Sequence, residues 1–169
     1  MKVGYGLAAS IVFALTGMDL SHADSAREST DLYIRRLAGL PASSARGDIQ
    51  ILDVGHLPMS TMISIVANHT RSGWRVSYAC AASPYCAAGQ DHLAKDYSLS
   101  AQASQRVDAI LERLRTGGEP DATRPSATMV CGWLSVVIDY QGFRRTYDRA
   151  CSWGRELGEL EDVLKDSGG

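Results

Sequence analysis

The hydrophobic pattern of the chain switches period several times. Val107, Ile110, Leu111 and Leu114 recur at i, i+3, i+4 and i+7, the spacing of one helical face. Ser100 stands where a cap accepts backbone N–H groups, and Gly117 or Gly118 where a left-handed residue closes the helix. This predicts a helix between those points. Around Trp74 the period drops to two: Trp74, Val76, Tyr78 and Cys80 alternate with Arg75, Ser77 and Ala79, as on a half-buried strand. With the β-branched run over 60–68 and a polar loop containing Gly73, it predicts a hairpin. A second hairpin is predicted in "CGWLSVVIDYQGFRRTYDRAC", with its turn at Gln141-Gly142.

Weaker patterns complete the chain. Residues 24–40 begin with cap residues and carry Leu32, Ile34, Arg36, Leu37 and Leu40 as a partial helical stripe, with Gly39 at the stop and Pro41 beyond. "IQILDV", 49–54, reads as a short strand. Residues 152–166 place Trp153, Leu157, Leu160 and Leu164 on one stripe, with Glu156, Glu159 and Glu161 read as the solvated side. Two glycines in this segment cost about 1 kcal/mol each in helix propensity, so tertiary packing must hold it. The order helix, strand, hairpin, helix, hairpin, helix predicts an α+β domain. Its antiparallel sheet is expected to be built from the two hairpins, with about four to five strands and helices packed mainly on one face.

The second hairpin admits two registers. A three-residue turn at 140–142 sets Cys131 opposite Cys151 and places Trp133, Arg145, Tyr147 and Arg149 on one face. A turn one residue shorter or longer instead puts Leu134, Val136 and Ile138 on the face of Phe143, Arg145 and Tyr147. A one-residue slip turns every side chain over, so the two exclude each other along a regular ladder. A β-bulge would reconcile them.

The start of the chain changes the context. "MK" precedes a 16-residue uncharged stretch, and Ser21 and Ala23 occupy the small-residue positions a signal peptidase reads. Residues 1–23 are expected to be a cleaved secretory signal, the apolar run being short of the ~20 residues that span a bilayer. The remaining 146 residues, 24–169, are expected to form a single exported domain, periplasmic or secreted, with no membrane anchor after cleavage. In an oxidising compartment four cysteines favour disulfides. Loop closure favours Cys80–Cys86 and Cys131–Cys151, although four cysteines allow three connectivities. No C-x-x-C spacing supports zinc or a redox pair. The net charge of −2 gives no electrostatic case for nucleic acid. Fourteen arginines against three lysines suit a GC-rich bacterial genome.

Candidate chemistry is sparse. His56, His69 and His92 fall in expected loops or loop edges, with no recognisable ligand spacing to Asp53 or Asp91. Asp53 with His56 would form an acid–base pair, but Ser60 and Ser64 lack a nucleophile-elbow pattern. No cofactor or metal is expected. The cysteine-aligned register instead offers a surface of Trp133, Arg145, Tyr147 and Arg149, since Trp, Tyr and Arg anchor interfaces. The opposing reading packs Trp133 and Tyr147 under a helix, with the arginines covering the edge. The expectation is a small exported bacterial binding or interaction domain, non-enzymatic, holding a protein or envelope component. The alternatives are a small hydrolase using His56 with Asp53, and a structural envelope component.

Overall fold

The computed structural model describes residues 18–40, 46–55, 62–81, 86, 92–117, 132–150 and 154–165. Helix α1 (Met18–Leu37) leads into β1 (Ile49–Val54), β2 (Met62–Thr70), β3 (Gly73–Ala81) and β4 (His92–Ser98). Helix α2 (Ala101–Thr116) then precedes β5 (Trp133–Tyr140), β6 (Phe143–Ala150) and α3 (Arg155–Lys165). The fold is α+β. Its six strands form one sheet in the order β4-β3-β2-β1-β5-β6, with every pairing antiparallel. The expected four to five strands are therefore six. β1 sits near the middle of the sheet, between β2 and β5, where its run of Ile49, Ile51 and Leu52 is buried.

The unexpected strand is β4. Its residues, "HLAKDYS", mix Lys95 and Asp96 with only two large apolar side chains, so the period-two signal is weak. Among the described residues it pairs on one side only, with β3, and charged side chains are what protect such an edge from a foreign strand. His92 is the first residue of this strand and His69 the last but one of β2, both at strand ends where the expectation put loop edges.

The second hairpin resolves its register through its turn. Gln141 and Gly142 have φ of 48° and 77°, the two left-handed residues of a tight turn whose twist matches the strands. Tyr140 is thereby set opposite Phe143, and Trp133 opposite Ala150. Leu134, Val136 and Ile138 share a face with Phe143, Arg145 and Tyr147, which is the hydrophobic register. Trp133 lies on the other face, so the expected grouping of Trp133, Arg145, Tyr147 and Arg149 on one face is corrected. Burial decides the contest: Val136, Ile138, Phe143 and Tyr147 all enter the main core. Beside the hairpin, Gly132 runs so close to β1 that a Cβ there would stand 2.1 Å from the Val54 carbonyl oxygen.

The main core fills one face of the sheet beneath α2 and α3. Trp74, Ile51, Ile65, Ile138, Ile110, Leu157, Leu160 and Leu164 are all fully buried. The α2 stripe is the expected one, and Ser100 caps the helix by accepting from the Ala103 N–H at 3.1 Å. Gly117 ends it in a right-handed conformation, φ −87°, and the other expected left-handed position, Gly118, lies outside the described residues. Among the described residues the opposite face carries α1 and a smaller core of Ile34, Ala38, Leu52, Ala79 and Ala81. Two of the three described helices thus share a face, and the third lies across the sheet from them. The Cys80–Cys86 disulfide is formed, with a Cα–Cα separation of 5.4 Å. Cys131 and Cys151 lie outside the described residues. No helix among the described residues is long and apolar enough to cross a membrane.

Candidate functional site

The sheet face under α1 is unusual in its chemistry. β2, β3 and β5 each present a serine to it (Ser64, Ser77 and Ser135), and α1 answers with charged side chains. Its buried stripe is Arg27, Ile34, Arg35 and Ala38, with Asp31 half-buried. That stripe shares Ile34 with the expected one, Leu32, Ile34, Arg36, Leu37 and Leu40, but Arg36 and Leu37 are exposed. Hydrophobic periodicity misplaces this helix because half of its buried side is ionic.

The contacts form two groups. Arg27, 8% exposed, donates from Nε to Ser135 Oγ at 2.7 Å and from Nη2 to both Asp148 oxygens at 3.2 and 3.1 Å. Asp31 Oδ1 accepts from Arg35 Nε at 3.0 Å and from the Ser64 hydroxyl. Arg35 Nη1 also donates to Ser77 Oγ at 3.2 Å. Charge-assisted bonds of this kind are about twice as strong as neutral ones and fix geometry.

Where α1 leaves β1 and β5 uncovered, a cleft of about 250 Å³ opens. Leu52, Gln50 and Val137 contribute to its lining from the sheet, Arg27, Glu28 and Asp31 from α1, and Arg46, Asp139 and Arg144 from the surrounding loop and hairpin. The charges differ in how firmly they are held. Arg27 and Asp31 are fixed by the bonds above. Arg144 Nε lies 3.8 Å from Asp139 Oδ2 with both side chains mostly exposed, a pairing that is worth little in water. Arg46 is exposed and has no ion-pair partner among the described residues. Two guanidinium groups are thus available to a ligand beside a small apolar floor.

A second charged cluster lies on the opposite face. Asp53 lies two residues beyond Ile51 along β1 and so shares the face of the main core. Its pKa is raised to about 6, chiefly by burial and then by Glu161, with Lys165 opposing. Glu161 was expected on the solvated side of the last helix, but it is buried, 5% exposed. It pairs with Lys165 one turn on, Nζ to Oε1 at 2.5 Å. Burial works against the charge on Lys165, yet Glu161 and Asp53 together hold its pKa above the ordinary value. Tyr78 faces the same cluster, and burial raises its phenol. Of the expected pair, Asp53 is therefore in a perturbed environment, while His56 lies outside the described residues. The i, i+4 spacing of Glu161 and Lys165 was the available signal for their pairing; its burial was hidden because Glu161 adjoins Leu160 at the edge of the apolar stripe.

The remaining candidates separate. Tyr147 is 5% exposed, within the core, and Arg145 is exposed. Trp133 is half-buried against the smaller core on the α1 side. Arg149 pairs opposite Leu134. His69 packs edge-on to Trp74 with ring centres 5.2 Å apart, and Trp74 donates from Nε1 to Asp108 Oδ1 at 2.9 Å. Among the described residues no group of His, Cys, Asp and Glu could hold a metal ion. Comparison with protein-family models, with curated proteins and with solved structures finds no match to this chain.

Proposed function

We propose that the protein is a small, non-enzymatic binding domain of the exported compartment, and that the cleft beside α1 is where it holds its partner. The partner class that suits the cleft is an acidic segment of a protein or envelope component. The observation that carries this reading is the pair of loosely held guanidinium groups, Arg46 and Arg144, next to the apolar Leu52 and Val137. A concave site with an apolar floor and a few polar groups is the ordinary form of a binding site. Planar guanidinium matches a carboxylate in two-pronged fashion, which a lysine does not. Arg27 is spent on Asp148, and Asp31 on Arg35, so the groups left to a ligand are Arg46 and Arg144.

The proposal moves the interaction surface from the helix-facing side of the second hairpin to its other side. There Asp139 and Arg144 pair opposite each other. Export itself rests on the leader-like first 23 residues and is supported by the Cys80–Cys86 bond. The hydrolase alternative draws on the raised pKa of Asp53, but its described neighbours Glu161, Lys165 and Tyr78 form a mutually compensated cluster rather than a base beside a nucleophile.

Fluorescence-anisotropy titration with labelled peptides of acidic, neutral and basic composition tests the reading. The acidic peptide should bind tightest and lose about tenfold or more in affinity in the double variant Arg46→Ala/Arg144→Ala, with the unfolding midpoint unchanged. Equal binding of all three peptides, or an unaffected double variant, overturns it.

A further inference from the structure

β6 (Phe143–Ala150) closes one end of the sheet, and among the described residues it pairs only with β5. Which of its backbone groups face outward can be read from its neighbour. Asp139 donates its N–H to the Asp48 carbonyl at 2.8 Å, away from β6. Arg144, opposite Asp139, therefore belongs to a pair that exchanges no backbone bond. Antiparallel ladders alternate such pairs with bonded ones. Arg144, Thr146 and Asp148 thus turn their N–H and C=O groups to the outer edge. Their side chains share the α1 face, where Asp148 meets Arg27, and all three residues are exposed.

We propose that β6 is a self-complementary edge, at which two copies of this chain join antiparallel about a twofold axis between their Thr146 residues. In that register Arg144 of each copy stands opposite Asp148 of the other, and symmetry makes the pair twice. Thr146 stands opposite itself, and opposite charges and paired threonines both favour such a ladder. The match is specific to the register. Keeping the outward groups matched, the next register one way sets Arg145 opposite itself, and the next the other way sets Asp148 opposite Thr146. Edge charges ordinarily deter a foreign strand; on β6 their spacing admits a second copy in one alignment. β4, at the other end of the sheet, lacks this property, because pairing centred on its middle residue sets Lys95 against itself. Arg144 gives up little, since its contact with Asp139 is a loose 3.8 Å. Asp148 keeps Arg27, because a carboxylate has about four acceptor sites. Turning outward takes Arg144 from the cleft, so a second copy and an acidic segment draw on the same guanidinium.

The contact comprises about six backbone hydrogen bonds and the two symmetric ion pairs, a small interface of the transient class. Sedimentation velocity of the whole protein between about 10 and about 500 µM should therefore show monomer giving way to dimer. No peptide is present, so the result does not depend on the acidic-segment reading. Arg144→Glu and Asp148→Lys, each alone, set like charges opposite at both pairs and should weaken the dimer about tenfold or more. An equimolar mixture of the two restores opposite charges in both pairs and should dimerise about as well as the parent. Thr146→Pro removes an outward N–H that β5 does not use and should also weaken the dimer. Asp148→Lys releases Arg27 as well, so Arg144→Glu and Thr146→Pro carry the test should that variant fail to fold. A parent that stays monomeric throughout, a dimer as tight in Arg144→Glu and Thr146→Pro as in the parent, or a mixture of the folded charge variants no more associated than either alone overturns the proposal.

Discussion

Asp53 occupies a position where an apolar residue would cost nothing. Its neighbours along β1 on the same face, Ile49 and Ile51, are fully buried, and its carboxyl is held at about pKa 6 by burial and by Glu161. A raised carboxyl pKa means that the folded state binds the proton more tightly than the unfolded chain does. The stability this supplies is present at low pH and disappears as pH rises past about 6. Urea unfolding at pH 7.5 should therefore find Asp53→Asn more stable than the parent. The expected gain is about 2 kcal/mol, after discounting the full linkage value of about 3 kcal/mol for partial solvent screening. At pH 4 the two proteins should be nearly equal. A parent more stable than the variant at pH 7.5 would mean that ionised Asp53 is favourably paired, contrary to this account. The sequence marks Asp53 only as a carboxylate three residues before a histidine. Its described partners come from β3 and α3, a long-range meeting that no local spacing encodes.

Among the elements, α1 departs furthest from the expectation drawn from its residues. The expected stripe of Leu32, Ile34, Arg36, Leu37 and Leu40 holds at Ile34, which is fully buried, and at Leu40, which packs on the smaller core, yet Arg27 and Arg35 are buried and Tyr33 and Leu37 are exposed. The reason lies in the strands beneath, where Ser64, Ser77 and Ser135 ask for donors and charge rather than methyl groups. α1 is thus fastened by specific polar contacts over a small apolar core. Arg27→Ala leaves Ser135 buried without its donor and Asp148 without its cation. Since removing one member of a buried polar pair costs about 1–3 kcal/mol, thermal unfolding should show a loss of that order, and exchange in α1 should rise more than in α2. Unchanged protection of α1 would mean that Ile34 and Ala38 alone hold it. The helix α2, β3 and β5 were legible because each follows one period, and β2 through its β-branched run, Ile63 to Ala67 being buried on both faces. β4 was not, because an edge strand with Lys95 and Asp96 carries little hydrophobic signal.

At the level of the whole molecule the sheet has two unequal faces. One is a conventional core under α2 and α3 with the proton-sensitive cluster at its margin. The other is thinly covered by α1 and retains the cleft. The fold class was legible from the order of periodic segments, and the hydrophobic register of the second hairpin from its apolar alternation. The cleft was not legible, because it exists only where α1 fails to cover β1 and β5, and helix placement over a sheet is a tertiary outcome. The most direct test of the binding account is an NMR titration of the protein with an acidic peptide. The account predicts shift changes gathered on Arg46, Leu52, Val137 and Arg144, with the α3 side of the sheet silent. Shifts gathered instead on Arg145 and the helix-facing side of the second hairpin, or no saturable shifts at all, would contradict it.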